Sequence, residues 1–302
     1  MLVICYDAGG AEVVSAWVRR NPDYHYRFIL DGPAIKVFKS KITGLEFADC
    51  SNLVHLVDQS TMVLTGTSWA SDLEKEAIRY SKERQVKVAS FLDHWCNYLE
   101  RFQLDDVLVL PDEIWVGDTY AQHIAEEKFS DVPVRLIENP YMMDIREEIN
   151  QCRDKQDTGK GCYNILYVCE PVSVHALKDS GREDAVGYTE FEAMDLFISH
   201  LKVLDHSDGE IQVRIRSHPS EPADKYAHYA KSYSSGLGIT LCRETSLIED
   251  CVWSDMVVGM NSMALIIALE AGRKVFCCIP GHSKPTGLPH EGILNFLELK
   301  KI

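Results

Sequence analysis

Short apolar runs that stop abruptly at small or polar residues recur along this chain, with helix-like stretches between them. Leu2 to Tyr6 ends at Asp7-Ala8-Gly9-Gly10, and Val13, Val14, Trp17 and Val18 follow at helical spacing. Tyr26 to Leu30 ends at Asp31-Gly32-Pro33, Met62 to Thr65 at Gly66-Thr67-Ser68, and Val86 to Leu92 at Asp93-His94. Ser71-x-x-Glu74 reads as a capping box opening a helix that runs to about Arg84. Glu113 to Val116 and Val134 to Ile137 are two more runs, with a helix at Tyr120 to Lys128 between them. Runs that are apolar throughout, rather than alternating, belong to strands buried on both faces. Alternation of such strands with helices predicts a parallel sheet with helices on either side.

The pattern then restarts. Arg146 to Gly161 is polar and without an apolar period, and reads as a helix or linker. Asn164 to Cys169 ends at Glu170-Pro171, a helix spans Phe191 to Leu204, and Gln212 to Ile215 ends at Arg216-Ser217-His218-Pro219. Ile239 to Leu241, Met256 to Val258 and Lys274 to Ile279 complete a second sheet, with a helix at Met263 to Ala271 before the last. A chain of 302 residues has room for two such units. The expected fold is therefore α/β: two Rossmann-like, doubly wound domains facing a cleft, residues 1–142 and 143–302. Ligands of open parallel sheets bind beyond the carboxyl ends of the strands, so the residues after each strand are the candidates.

Charge narrows the partners. The formal net charge is −15, which disfavours generic binding to nucleic acid or to an anionic membrane. The ten cysteines are scattered without Cys-x-x-Cys, so neither a disulfide framework nor a zinc site is expected, and reduced thiols fit a cytoplasmic protein. The longest apolar run, Met263 to Leu269, is far short of the roughly 20 residues that cross a bilayer. No secretory leader is recognisable at the N-terminus.

Among strand-end residues, Gly9 and Gly10 suit close backbone approach and an anion or sugar hydroxyl, and equally a tight turn. G-x-G-x-x-G is absent, so no dinucleotide is expected, and no other cofactor is either. Asp93, and second Asp7, are candidate general bases, though a strand-end Asp is usually a loop cap. His94, Trp95 and Asn97 form a polar and aromatic stretch suited to sugar recognition. His218, held before Pro219, is placed to donate to a phosphate, and Arg216 shares a strand face with Arg214. Asn261 and Ser262 open a helix whose positive end suits a phosphate, or simply cap it. No Asp-x-Asp occurs, so the phosphate is expected to be neutralised by helix ends, His and Arg rather than by a metal.

In layout the chain resembles glycosyltransferases of the GT-B type. Ile137-Glu138-Asn139-Pro140 resembles the strand and Asn-Pro linker leaving their first domain. Ile165 to Pro171 resembles the first strand and loop of their nucleotide-binding domain. Arg216-Ser217-His218-Pro219 is similar to the His-Pro motif of bacterial sialyltransferases, polysialyltransferases, Kdo transferases and related capsule enzymes. Asp255 to Gly272 resembles their D-x-V-V-G-x-x-S-x-x-L-x-x-A-L-x-x-G stretch. The departures are the absent acidic motif of polysialyltransferases, and Asn261-Ser262 where several relatives have paired serines.

The resemblance implies an acceptor-side domain at 1–142 and a nucleotide-sugar domain at 143–302. It implies donor phosphate contacts from His218 and Ser262, with Pro219, Arg216, Asn261, Glu170 and Pro171 around them. The activity implied is metal-independent, inverting transfer from a nucleotide-activated sugar, a CMP-linked acidic sugar favoured. The acceptor would be a glycan, glycolipid or glycoprotein of a bacterial surface, and weak docking at a membrane is compatible with it. Three rivals share the pattern: a nucleotide-sugar epimerase or hydrolase, a CDP-polyol phosphotransferase, and a non-catalytic nucleotide- or sugar-binding partner.

Overall fold

The computed structural model describes residues 1–154, 162–203, 210–232, 238–242, 244–281 and 286–300. The chain forms two compact units, Met1–Asp144 and Ile145–Ile302.

Unit 1 runs β1 (Leu2–Cys5), α1 (Ala8–Arg20), β2 (Arg27–Leu30), α2 (Pro33–Lys41), α3 (Leu53–Asp58), β3 (Met62–Thr65), α4 (Leu73–Glu83) and β4 (Lys87–Leu92). A small antiparallel hairpin, β5 (Gln103–Leu104) and β6 (Val107–Leu108), precedes β7 (Glu113–Val116), α5 (Thr119–Lys128) and β8 (Val134–Leu136), and α6 (Pro140–Arg153) begins in unit 1 and continues into unit 2. Among the described residues six strands form one parallel sheet, ordered β2-β1-β3-β4-β7-β8. All of β1 is buried, as its unbroken apolar run requires. Val14, Trp17 and Val18 of α1 pack with Phe38, Phe91 and Trp115 in the core of this unit.

Unit 2 runs β9 (Cys162–Val168), α7 (Val172–Ser180), α8 (Glu190–Val203), β10 (Glu210–Arg216), α9 (Ala227–Ser232), β11 (Gly238–Leu241) and α10 (Leu247–Trp253). It closes with β12 (Met256–Gly259), α11 (Met263–Glu270), β13 (Lys274–Cys277) and β14 (Ile293–Asn295). Its parallel sheet is ordered β11-β10-β9-β12-β13-β14. Numbered from its own first strand this is 3-2-1-4-5-6, the order of dinucleotide-binding folds. Tyr167, Phe197, Tyr226 and Phe296 fill its core. The C-terminal stretch from Glu291 thus supplies an edge strand and a core aromatic to unit 2; Lys301 lies outside the described residues.

One local expectation is corrected and another extended. The Ser71–Glu74 capping box does not form: Ser71 accepts from the Leu73 amide, while Glu74 turns inward to the Tyr6 amide. A true capping box closes at Ser246 and Glu249, opening α10. The stretch read as starting at Arg146 is already helical from Pro140, because Asn139 Oδ1 accepts from the Tyr141 and Met142 amides. Residues 155–161 and the expected helix end at Leu204 lie outside the described residues.

Candidate functional site

A doubly wound sheet opens a crevice where successive connections leave in opposite directions. In unit 1 that point lies between β1 and β3, and in unit 2 between β9 and β12. Strand-end residues named from the sequence fall at both.

At the unit 1 point, Gly66-Thr67-Ser68 follows β3 and Asp7 follows β1. Gly9 and Gly10 have internal uses here. A Cβ on Gly10 would lie 3.2 Å from the Thr67 amide nitrogen, and one on Gly9 would collide with Asp93 Oδ2. The first turn of α1 thus receives a carboxylate of its own chain at its positive end. Asp93 is 8% exposed and paired at 2.8 Å with Arg101, itself 6% exposed; Thr67 Oγ1 also donates to it at 3.2 Å. Asp7 is the N-cap residue of α1, yet its side chain caps nothing. It is half-buried, and burial raises its carboxyl above the ordinary range against a hydrogen bond from Ser68. Glu74 is 1% exposed, and burial pushes it up to about 8.

The expected sugar-contacting stretch divides. Trp95 is buried, its Nε1 donating to both carboxylate oxygens of Asp118 at 3.0 and 3.1 Å, while Asp118 also caps α5. Asn97 has φ 56°, the left-handed region that Asn tolerates best after Gly, so it serves the turn. His94 contacts Cys96 Sγ at 3.2 Å, and burial lowers its pKa, leaving a neutral ring. These are structural employments for Trp95 and His94, while Asn97 is exposed at its turn.

Substituting Gly9 by Ala is expected to destabilise unit 1 by about 1–3 kcal/mol, the usual cost of overpacking, because the short side chain of Asp93 is held by Arg101. Urea melts check this; a loss under 0.5 kcal/mol would mean Asp93 moves freely.

At the unit 2 point, Glu170 follows β9 and Asn261 follows β12. Glu170 Oε2 accepts from the Asn261 amide at 2.6 Å, joining the two strand ends. Asn261 Oδ1 in turn accepts from Thr286 Oγ1 at 2.8 Å and the Gly287 amide at 2.9 Å. Burial pushes Glu170 up to about 7, against the Asn261 hydrogen bond. Beside this pair lies a cavity of about 520 Å³, lined by Glu170, His175, Asp179, Tyr188, Asn261 and Ile279 with apolar residues of α7. Ser262 caps α11 through the Ala264 amide. Pro171 is the N-cap residue of α7, whose Ser173 amide and hydroxyl are taken by buried Glu190. The anion position at α7 is therefore filled from within, and α11 offers the other helix start beside the cavity.

His218 is held in a tight turn. Its amide donates to Glu221 at 3.0 Å, and its Nδ1 accepts from the Ser220 amide at 3.2 Å. An accepting Nδ1 places the ring proton on Nε2. Burial first, and then His175, lower its pKa against the pull of Glu221, so the ring is neutral at pH 7. Glu221 and Glu190 share Lys225, so that ammonium is committed. Pro219 is exposed and begins this turn.

Arg216 is engaged within its own unit. It and Arg214 do share a strand face, but that face turns to Asp250, which is 0% exposed. Arg216 Nη1 lies 2.7 Å from Asp250 and 2.8 Å from the Thr245 carbonyl. The guanidinium expected at a phosphate thus has an internal partner in this structure. Arg101, His175 and Asp250 escaped the sequence reading, since none sits in a motif, and Glu74 was read only as a helix cap; spatial neighbours alone distinguish them.

Among the described residues no group of three or more His, Cys, Asp or Glu could hold a metal ion, and no helix is long and apolar enough to cross a membrane.

Solved structures share this architecture. The chain is similar to Alr3699/HepE of Anabaena, solved in complex with UDP and glucose, at 10% identity and a TM-score of 0.56, covering 97% of this chain and 85% of that one. It is similar to the UDP-GlcNAc 2-epimerase of Methanocaldococcus jannaschii at 8% identity and a TM-score of 0.59, covering 91% and 82%. It is similar to MurG of Acinetobacter baumannii at 11% identity and a TM-score of 0.55, covering 93% and 79%. No family model matches the chain, and no curated protein sequence matches it. The fold is that of GT-B structures, two parallel-sheet α/β domains. Nothing in these likenesses narrows it to the sialyltransferase or Kdo-transferase group.

Proposed function

We propose that this chain is a nucleotide-sugar-dependent enzyme, a glycosyltransferase that binds its donor on unit 2 and activates its acceptor on unit 1. The observation that carries the reading is the unit 2 switch point, where Glu170 and Asn261 close one wall of a cavity of about 520 Å³. That volume lies within the usual range for small-molecule sites. HepE bound to UDP and glucose, and a UDP-GlcNAc epimerase, share the fold and support a nucleotide-sugar ligand.

In this reading the donor phosphate lies at the start of α11, near Asn261 and Ser262, and accepts a hydrogen bond from His218 Nε2. As transfer proceeds, the acceptor oxygen bonds to the anomeric carbon and the bond from that carbon to the phosphate oxygen breaks. The electron pair goes to the phosphate, stabilised by the helix end and the neutral imidazole. The acceptor hydroxyl proton goes to Asp7. Asp93 was the first candidate from the sequence, but its pairing with Arg101 favours Asp7. Among the described residues the cavity lining includes Glu170 and Asp179 and neither Lys nor Arg. A neutral donor sugar suits that lining better than the acidic one suggested by the His-Pro motif. The acceptor is a glycan hydroxyl.

Calorimetry with UDP, CMP, GDP and UDP-GlcNAc, with and without Mg²⁺, tests this. We expect one nucleotide series to bind independently of Mg²⁺, and His218→Ala to weaken it about tenfold, the worth of a hydrogen bond to a charged group. Absence of binding at millimolar concentration would overturn the reading. The likeness to an epimerase favours one second reading. It is separated by incubating donor alone: an epimerase yields a new nucleotide sugar without any acceptor.

A further inference from the structure

The three carboxyl groups at the unit 1 switch point are unevenly provided for. Asp93 has Arg101 and Thr67. Glu74, on the first turn of α4, accepts from the Tyr6 amide through Oε1 at 2.7 Å, while its Oε2 is buried with no hydrogen-bond partner among the described residues. Asp7 is the residue after Tyr6, half-buried and unused as a cap. The groups that face Glu74 are the carboxyls of Asp7 and Asp93 from the ends of β1 and β4, and the thiols of Cys5 and Cys50. On its own helix Lys75 is paired at 2.8 Å with Asp72, and the nearby Arg101 belongs to Asp93. Among the described residues no cation is bonded to Glu74. A carboxyl enclosed beside two others without a counter-ion keeps its proton, and burial is the larger cause here.

We propose that Glu74 is a positioning residue for Asp7: it anchors the Tyr6–Asp7 backbone through the Tyr6 amide and, as a buried neutral acid, leaves Asp7 as the ionised base beside it. This rests on the reading of Asp7 as the group that takes the acceptor proton. The orphan Oε2 is then the atom that carries the proton. When Glu74 ionises, near pH 8, its new charge makes Asp7 a stronger base, and transfer accelerates.

Two measurements on wild type, Glu74→Gln and Glu74→Ala test this. The first is thermal stability between pH 4 and 9, which needs no substrate. An acid whose folded pKa is raised contributes stability that is full below its unfolded value of 4.5 and lost as pH rises through about 8. Glutamine does not titrate, so the melting temperature of Glu74→Gln relative to wild type climbs between pH 5 and 8 and then levels off. A flat difference would show that Glu74 is ionised and overturn the proposal. The second is kcat/KM against pH. Wild type shows an alkaline rise of about threefold, the Brønsted response to roughly one unit of added basicity. Glu74→Gln lacks that rise, and Glu74→Ala loses kcat with KM retained. A rise that persists in Glu74→Gln would also overturn the proposal. If wild type turns over no nucleotide sugar, the functional reading fails and the assignment to Asp7 with it, while the stability series still reports the Glu74 proton.

Discussion

Asp7→Asn is expected to reduce transfer by about 10²–10⁴-fold, the ordinary worth of a general base, while leaving the protein as stable as wild type or more so at pH 7. The stability half follows from sign. Burial raises the Asp7 pKa, so the ionised side chain costs the folded state something above the unfolded value of 3.8, and asparagine removes that cost. Asp93→Asn should behave in the opposite way. It leaves Arg101, 6% exposed, facing an amide that cannot neutralise it. Breaking a buried pair by removing one partner costs about 3–5 kcal/mol. Its activity should therefore fall with the folded fraction rather than per folded molecule. Single-turnover rates with the nucleotide sugar identified by calorimetry, together with urea melts, read both variants. Full activity in Asp7→Asn with a folded, inactive Asp93→Asn would return the base to Asp93.

The sequence showed the strands because each is a burst of apolar residues that a buried parallel strand demands and that a polar residue must end. Once strands were placed, their ends were placed, and with them Asp7, Asp93, Glu170, His218 and Asn261. What a strand end cannot show is which neighbour will claim the side chain. Ser71 and Glu74 have capping-box spacing, but the Tyr6 amide, far off in sequence, is the stronger claimant for a buried carboxyl group. Arg214 and Arg216 were correctly put on one face, yet nothing local says that Asp250 lies beneath it. The helix α7 was missed because Val174 and Leu177 are exposed, so its apolar residues do not mark a single buried stripe. Arg101, in a short 3₁₀ turn, carries no periodic signal at all.

Asp250→Ala should be the most destabilising change in unit 2, by about 3–5 kcal/mol. The carboxylate is 0% exposed and gathers Arg214, Arg216 and the Thr245 hydroxyl, the last at 2.7 Å. Alanine strands two guanidinium groups that are each less than a third exposed, and opens a cavity at the turn between β11 and α10. Arg214 keeps its contact over the Trp253 ring at 3.7 Å, so the loss falls chiefly on Arg216. For a unit of this size the melting temperature should drop by roughly 10 °C. Arg216→Met should cost less stability, because it removes a charge rather than orphaning two. The decisive readout is nucleotide affinity below the melting transition. An internal counter-ion leaves affinity unchanged in Arg216→Met. A tenfold loss of affinity there, without loss of stability, would mean that the guanidinium releases Asp250 to hold the donor phosphate, and the phosphate site would then extend from α11 to the end of β10.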